Sequence, residues 1–264
     1  YTPIYIALRY LKGRKSGFLS FISSLAFVST SLGVAVLIIV SSVMNGFEKE
    51  LKERILNVIP HASIYGLSPI QDWKQVELNL REDKNIEGIS PYIETEALIK
   101  SKSSVVGARI NGVDSKKDKS VSVINEFIEL GDLSEIEQGD KIILGYILAR
   151  KLNVGLGDKV SLLLPDSNAS FAGYFPKSKT FQIGGIFNVG SKELDEVLAY
   201  ISLKNASSLT GLKDKIHGFS IKYENLFDAP YLVWQSLIFA EKDLNNLLNA
   251  EDWSYTYGPL FDAI

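Results

Sequence analysis

The chain has 264 residues, enough for a membrane segment together with one large or two small folded units. Its 28 basic and 31 acidic residues leave no basic excess, which argues against nucleic-acid binding. The absence of cysteine excludes a disulfide framework, a thiolate nucleophile and a Cys-ligated zinc site.

Charge is distributed unevenly along the sequence. Residues 1–17 carry four basic and no acidic residues, residues 18–47 are uncharged, and the remainder carries 24 basic and 31 acidic residues. Apolar positions in residues 2–12 recur at helical spacing, which predicts a short helix lying along the cytoplasmic membrane surface. We interpret residues 1–17 as a cytoplasmic segment whose basic residues are Arg9, Lys12, Arg14 and Lys15.

Residues 18–44 read FLSFISSLAFVSTSLGVAVLIIVSSVM and predict a transmembrane helix. As a helix, this segment is about 40 Å long, against a hydrocarbon core of about 30 Å. A cleaved signal peptide is the alternative, but its apolar region would be shorter, roughly 7 to 15 residues. The basic residues before the span place the N-terminus in the cytoplasm and the bulk of the chain outside it, in a bacterium the periplasm or the outer cell surface. Ser29 and Gly33 have the small-xxx-small spacing that favours partner transmembrane helices.

The helix is predicted to continue beyond the membrane and to stop before Pro60. Short β-like runs then alternate with turn residues, and helical patterns fall at about 71–81, 145–153, 204–211 and 225–250. Because the strands outnumber the helices and do not alternate with them, the exported part is predicted to be α+β. The strand-like runs are HASIYG, EALIKS, SVVGARINGV, KIILG, DKVSLLLP, KTFQIGGIFN and EVLAYISL.

Two features interrupt these strands. Gly184 and Gly185 lie within one run and predict a bulge or a close backbone approach. Residues 165–181, PDSNASFAGYFPKSKTF, lie between two strands and predict a long loop or projecting hairpin. Its aromatic side chains indicate a contact surface, although a loop packed back on its own domain remains the alternative.

Local signatures of catalysis are missing from the sequence. There is no phosphate-binding loop, H-E-x-x-H motif, G-x-S-x-G elbow or dinucleotide-binding glycine pattern. The two histidines, His61 beside a proline and His217 beside a glycine, are interpreted as structural. We therefore predict no catalytic residue, no metal site and no cofactor.

Several segments together resemble one family. IALRYLKGRK, VSSVMNGFEKEL and RILNVIPH, followed by IILGYILARKLNVGLGDKVSLLLP and FQIGGIFNVGS, are similar to the lipoprotein-releasing permeases of the LolC/LolE family. These belong to a wider group of ABC transporter permeases with a MacB-like periplasmic core domain. The resemblance covers nearly the whole chain, and V-M-N-G-F-E directly after the span is its most specific motif.

The resemblance implies a non-enzymatic permease subunit of the bacterial inner membrane, with its main domain in the periplasm. It would extract lipoproteins and pass them to the periplasmic carrier LolA, together with a second permease, either an identical copy or the LolC/LolE partner. ATP hydrolysis would take place on a separate cytoplasmic ATPase, LolD-like. The alternatives are a MacB-type efflux permease, which lacks the carrier-binding hook, and a single-span exported enzyme or sensor.

The resemblance also implies an organisation of the chain. Residues 45–114 and 201–250 would form a membrane-proximal periplasmic subdomain, with residues 115–200 as an inserted subdomain that carries the hook at 165–181. The family has four spans, so residues 251–264 would approach a missing second span, and the chain is expected to be a truncated product.

Two groups of site residues follow from the resemblance. A hook of this kind binds the carrier, and the matching residues are Phe171, Ala172, Gly173, Tyr174, Phe175, Pro176 and Lys179. The lipid-accepting cavity would be lined by Val40, Met44 and Phe47, which share one helix face at i, i+4, i+7 spacing. Ordinary helix packing is the alternative interpretation of that face.

Overall fold

A computed structural model describes residues 17–164, 177–242 and 247–255, together with residues 3, 5, 6, 9 and 258. At positions 17, 19, 20 and 47–57 it describes the helical backbone but not the side chains. The chain divides into two compact units, residues 1–51 and residues 52–264.

The main described element of the first unit is a long helix, α1 (Gly17–Val58), which ends in the second unit. Its segment Phe21–Gly46 is apolar and long enough to cross a membrane, and every side chain in that segment is exposed. An uncharged helix with no protein around it needs lipid or partner helices as its surroundings. The predicted end before Pro60 is confirmed.

The second unit has an α+β fold, as predicted. Its strands are β1 (Ala62–Ile70), β2 (Ile86–Lys100), β3 (Val105–Val113), β4 (Ile128–Gly131), β5 (Lys141–Gly145), β6 (Lys159–Leu164), β7 (Lys177–Phe187), β8 (Leu198–Ser202), β9 (Ile216–Tyr223) and β10 (Leu248–Asp252). Its helices are α2 (Trp73–Leu80), α3 (Ser115–Asp118), α4 (Tyr146–Leu152), α5 (Lys192–Asp195), α6 (Leu203–Thr210) and α7 (Ala229–Ala240). Short 3₁₀ turns occupy Ile124–Phe127, Leu133–Glu137 and Leu226–Asp228.

The ten described strands form one mixed sheet in the order β10-β1-β9-β2-β3-β8-β5-β7-β4. Strand β6 lies off this path and pairs with both β2 and β7. Through β6, the six strands β2, β3, β8, β5, β7 and β6 close into a ring. Closure removes the free edges that these strands would otherwise expose.

Each strand of the ring contributes a fully buried side chain to one hydrophobic cluster. A second cluster holds Val58, the last residue of α1, together with Phe187 and other apolar side chains. The Ser122 hydroxyl donates a hydrogen bond of 2.7 Å to the Val58 carbonyl. The end of α1 is therefore fixed to the second unit by both packing and a buried hydrogen bond. The ring side chains are Ile99, Ile110, Ile142, Leu162, Phe181 and Ile201.

Two local predictions have clear outcomes. The predicted bulge is confirmed, because the β5–β7 register passes from Ile142↔Ile183 to Ile143↔Gly185 and skips Gly184. The helix predicted at 225–250 is wrong in its C-terminal part, because α7 ends at Ala240 and β10 follows. Pairing of β10 with β1 overrides the local helical pattern there.

Candidate functional site

The predicted hook is the connection of a β-hairpin. Strands β6 and β7 pair antiparallel from Lys159↔Gln182 to Leu164↔Lys177, so residues 165–176 connect their paired ends. The Ser161 and Thr180 hydroxyls are 3.2 Å apart across this ladder. The predicted carrier-binding residues Phe171, Ala172, Gly173, Tyr174, Phe175 and Pro176 lie outside the described residues.

Lys179, the remaining residue of the predicted hook site, lies in β7. Its ammonium Nζ is 2.7 Å from Asp140 Oδ1 and donates a 2.9 Å hydrogen bond to Asn205 Oδ1. The same nitrogen lies 5.5 Å from the centre of the Phe181 ring. Lys179 is thus held against its own domain, and its proposed role toward a carrier stays a prediction.

An apolar groove of about 630 Å³ lies beside the base of this hairpin. Leu98 pairs with Gly107 on β3 and with Leu163 on β6, and it is about half exposed. Because Gly107 has no side chain, it leaves open space next to Leu98. Sequence reasoning missed this groove, which only the pairing of distant strands creates. Its other lining residues are Glu96, Ala97, Ala108, Arg109, Leu164 and Val197.

The predicted lipid-accepting face lies on α1. Val40 and Met44 are each about half exposed, and nothing is described of the Phe47 side chain. A shallow apolar groove of about 430 Å³ runs along the same helix, lined by Phe27, Thr30, Ser31, Val34, Ala35 and Ile38. Both faces offer apolar surface to lipid or to another helix, so the assignment of Val40, Met44 and Phe47 stays a prediction.

A small polar cavity of about 160 Å³ lies near the end of α1 in the second unit. Among the described residues, Asp118 Oδ2 and Asn111 Oδ1 are buried at this cavity and have no hydrogen-bond partner. Burial, with the nearby charge of Asp114, raises the pKa of Asp118 to about 7. Burial and then the charges of Glu94 and Asp252 raise the pKa of Glu251, which also lines the cavity.

This cavity offers polar groups without the arrangement of a metal centre. Within the described part of the chain, no three His, Cys, Asp or Glu side chains are grouped so that they could hold a metal ion. Both histidines bind backbone groups, since His61 Nδ1 accepts from the Tyr223 N–H and His217 Nδ1 accepts from the Glu94 N–H. Burial, reinforced by the charge of Lys222, lowers the pKa of His61 to about 4.

Comparison with known proteins gives consistent relationships. The family profile described as MacB-like periplasmic core domain matches residues 23–229. The chain is 32% identical over 98% of its length to the lipoprotein-releasing system transmembrane protein LolC of Neisseria meningitidis, and covers 63% of that protein. It is 31% identical over its full length to the lipoprotein-releasing system transmembrane protein LolE of Haemophilus influenzae, and covers 64% of it.

Among solved structures, the periplasmic region of MacB from Actinobacillus actinomycetemcomitans aligns with a TM-score of 0.49 at 10% identity. That alignment covers 77% of this chain and 92% of the MacB chain. The chain spans just under two thirds of the length of the lipoprotein-releasing relatives.

Proposed function

Because the chain belongs to the MacB-like periplasmic core domain family, we propose that it is the permease subunit of an ABC transporter that extracts lipoproteins from the inner membrane. The similarity to lipoprotein-releasing LolC and LolE proteins carries this proposal, since it extends over α1 as well as the folded domain. The subunit would hand its substrate to a LolA-like periplasmic carrier. A division of the folded part into membrane-proximal segments and an inserted segment 115–200 belongs to the same proposal.

The proposed orientation places the N-terminus in the cytoplasm and the second unit in the periplasm. Four basic residues precede α1 and the chain beyond it has an acidic excess, which matches the positive-inside rule. ATP hydrolysis would take place on a separate cytoplasmic ATPase, and a second permease subunit would supply partner helices for the exposed α1.

The carrier would bind the hairpin connection, at Phe171, Tyr174 and Phe175 above all. Lys179 supports this assignment indirectly, because its contacts with Asp140 and Asn205 anchor β7 to the body of the domain. A firmly held hairpin base would present the connection to a partner without a large loss of backbone freedom on binding.

Site-specific photocrosslinking in cells tests this proposal. A crosslinker is placed at 171, 174 or 175 in the full-length protein, and at exposed Lys84 as a matched surface control. We expect crosslinks to a LolA-like carrier from the hairpin positions and none from position 84. Capture of an efflux adaptor, or no capture while the ATPase still copurifies, would instead favour a MacB-type efflux permease.

The same assay tests the lipid-accepting face. Positions 40 and 44 lie on one side of α1, and Ser42 lies on the opposite side. Crosslinks to lipoprotein from 40 and 44 but not from 42 are expected. Equal yields from all three positions would mean that this face is ordinary lipid-facing surface.

A further inference from the structure

Helix α7 exposes an aromatic and aliphatic stripe. One side of the helix, formed by Ala229, Val233, Ser236 and Ala240, is buried against the domain. On the other side Tyr231, Trp234 and Ile238 are 70%, 56% and 72% exposed, at spacings of three and four residues. The helix contains no charged residue from Ala229 to Ala240. Phe227, just before it, is 62% exposed and extends the stripe.

The stripe begins where α1 ends in the second unit. The Phe227 ring packs edge-on against Trp253 with ring centres 6.0 Å apart, and Trp253 Nε1 donates to the Leu226 carbonyl at 3.0 Å. The backbone N–H of Trp253 donates in turn to the His61 carbonyl at 3.1 Å. His61 follows Val58, the last residue of α1, by three positions. Short contacts therefore join the start of the stripe to the point where the chain leaves the long apolar helix.

The size of the stripe limits what can cover it. A fully exposed aromatic side chain offers about 150 to 250 Å², so these four side chains together offer about 500 Å². A stable, specific protein–protein interface buries about 800 Å² on each partner. The stripe alone is too small for such a partner, yet it has the size of patches that are often functional.

We propose that Phe227, Tyr231, Trp234 and Ile238 form a bilayer contact that docks the second unit on the headgroup region of the membrane crossed by α1. Trp and Tyr rings favour this region because they combine an apolar body with a polar edge. Attachment through α1 holds the stripe at a high effective concentration near the lipid, so a small area is sufficient. The inference rests on α1 spanning a bilayer and is independent of lipoprotein release.

Spin labelling of the 264-residue chain tests this contact. The natural absence of cysteine allows single substitutions Tyr231→Cys, Trp234→Cys and Ile238→Cys, with Lys84→Cys as the exposed control. Each labelled protein is reconstituted into vesicles of phosphatidylcholine and phosphatidylethanolamine. Collision with oxygen, which concentrates in lipid, is compared with collision with a water-soluble nickel complex.

We expect the logarithm of the oxygen-to-nickel accessibility ratio to be positive at the three stripe positions and negative at position 84. Circular dichroism of each variant confirms folding, which these exposed positions should tolerate. A negative value at the stripe would show that it faces water and would overturn the proposal. Low accessibility to both reagents would show that protein covers the stripe, which would overturn it as well. No transport partner is present, so either failure leaves the proposed function untouched.

Discussion

Substitution of Ser236 by alanine should destabilise the second unit through one buried hydroxyl. Ser236 Oγ donates to Asp83 Oδ2 at 2.6 Å and lies 2.9 Å from the Tyr223 hydroxyl, and all three side chains are buried. The other oxygen of Asp83 accepts two hydrogen bonds from Asn85, so Ser236 links α7 to the turn before β2. Ser236→Ala would leave Asp83 Oδ2 without this donor.

A buried polar group that loses its partner costs about 1 to 3 kcal/mol. Because the Tyr223 hydroxyl could turn toward the same carboxyl group, we expect a loss of about 2 kcal/mol in the free energy of unfolding. For a unit of this size the melting temperature falls about 2 to 4 °C per kcal/mol, so the expected decrease is about 4 to 8 °C. Thermal unfolding of the chain in detergent, followed by tryptophan fluorescence, measures it.

Ser120→Ala is the matched control, because the Ser120 hydroxyl makes an exposed hydrogen bond to the Lys117 carbonyl. Its melting temperature should stay close to that of the unmodified chain. If Ser236→Ala melted at the same temperature as Ser120→Ala, the buried link would contribute nothing and the reasoning would be refuted. In Tyr223→Phe combined with Ser236→Ala, the loss should be smaller than the sum of the single losses, because both act on one network.

Two further predictions concern packing and titration. Gly112→Ala should lower stability by about 1 to 3 kcal/mol in urea unfolding, since its Cβ would lie 2.1 Å from the Ala206 Cβ, whereas Gly107→Ala on the same strand meets nothing within 4 Å and should cost little. Equal losses at both glycines would contradict this account. Since the pKa of Asp118 is raised to about 7, the folded state holds a proton that the unfolded state releases near pH 4, so stability should fall between about pH 4 and pH 7. Asp118→Asn should flatten that slope in melting curves recorded across the range; an unchanged slope would assign it to other groups.

Local sequence pattern predicted elements whose burial is decided within a few residues. The run KIILG coincides with β5 because all its apolar residues are buried, and the helical pattern at 145–153 closely matches α4 (Tyr146–Leu152). Elements defined by distant partners were missed. Strand β10 was interpreted as helix because its polar sequence LNAED shows no alternation, and only its ladder with β1 makes it a strand.

The same distinction applies to the candidate site. The hairpin was predictable, since two strong strand patterns flank a long polar segment rich in aromatic residues. The groove at Leu98 was not, because it needs Gly107 and Leu163 as neighbours across two ladders. The stripe on α7 was hidden for another reason: an almost uniformly apolar helix shows no polar side, so its sequence cannot indicate which residues are buried.

The closed ring sets the order in which an emerging chain can complete its fold. Strand β8 lies between β3 and β5, pairing parallel to the first and antiparallel to the second. As the polypeptide is made from its N-terminus, β2 and β3 can form a hairpin early, but β3 and β5 both wait for residues 198–202. A nascent chain halted before Leu198 therefore presents two unpaired edges at once, the condition most exposed to proteolysis and misassembly.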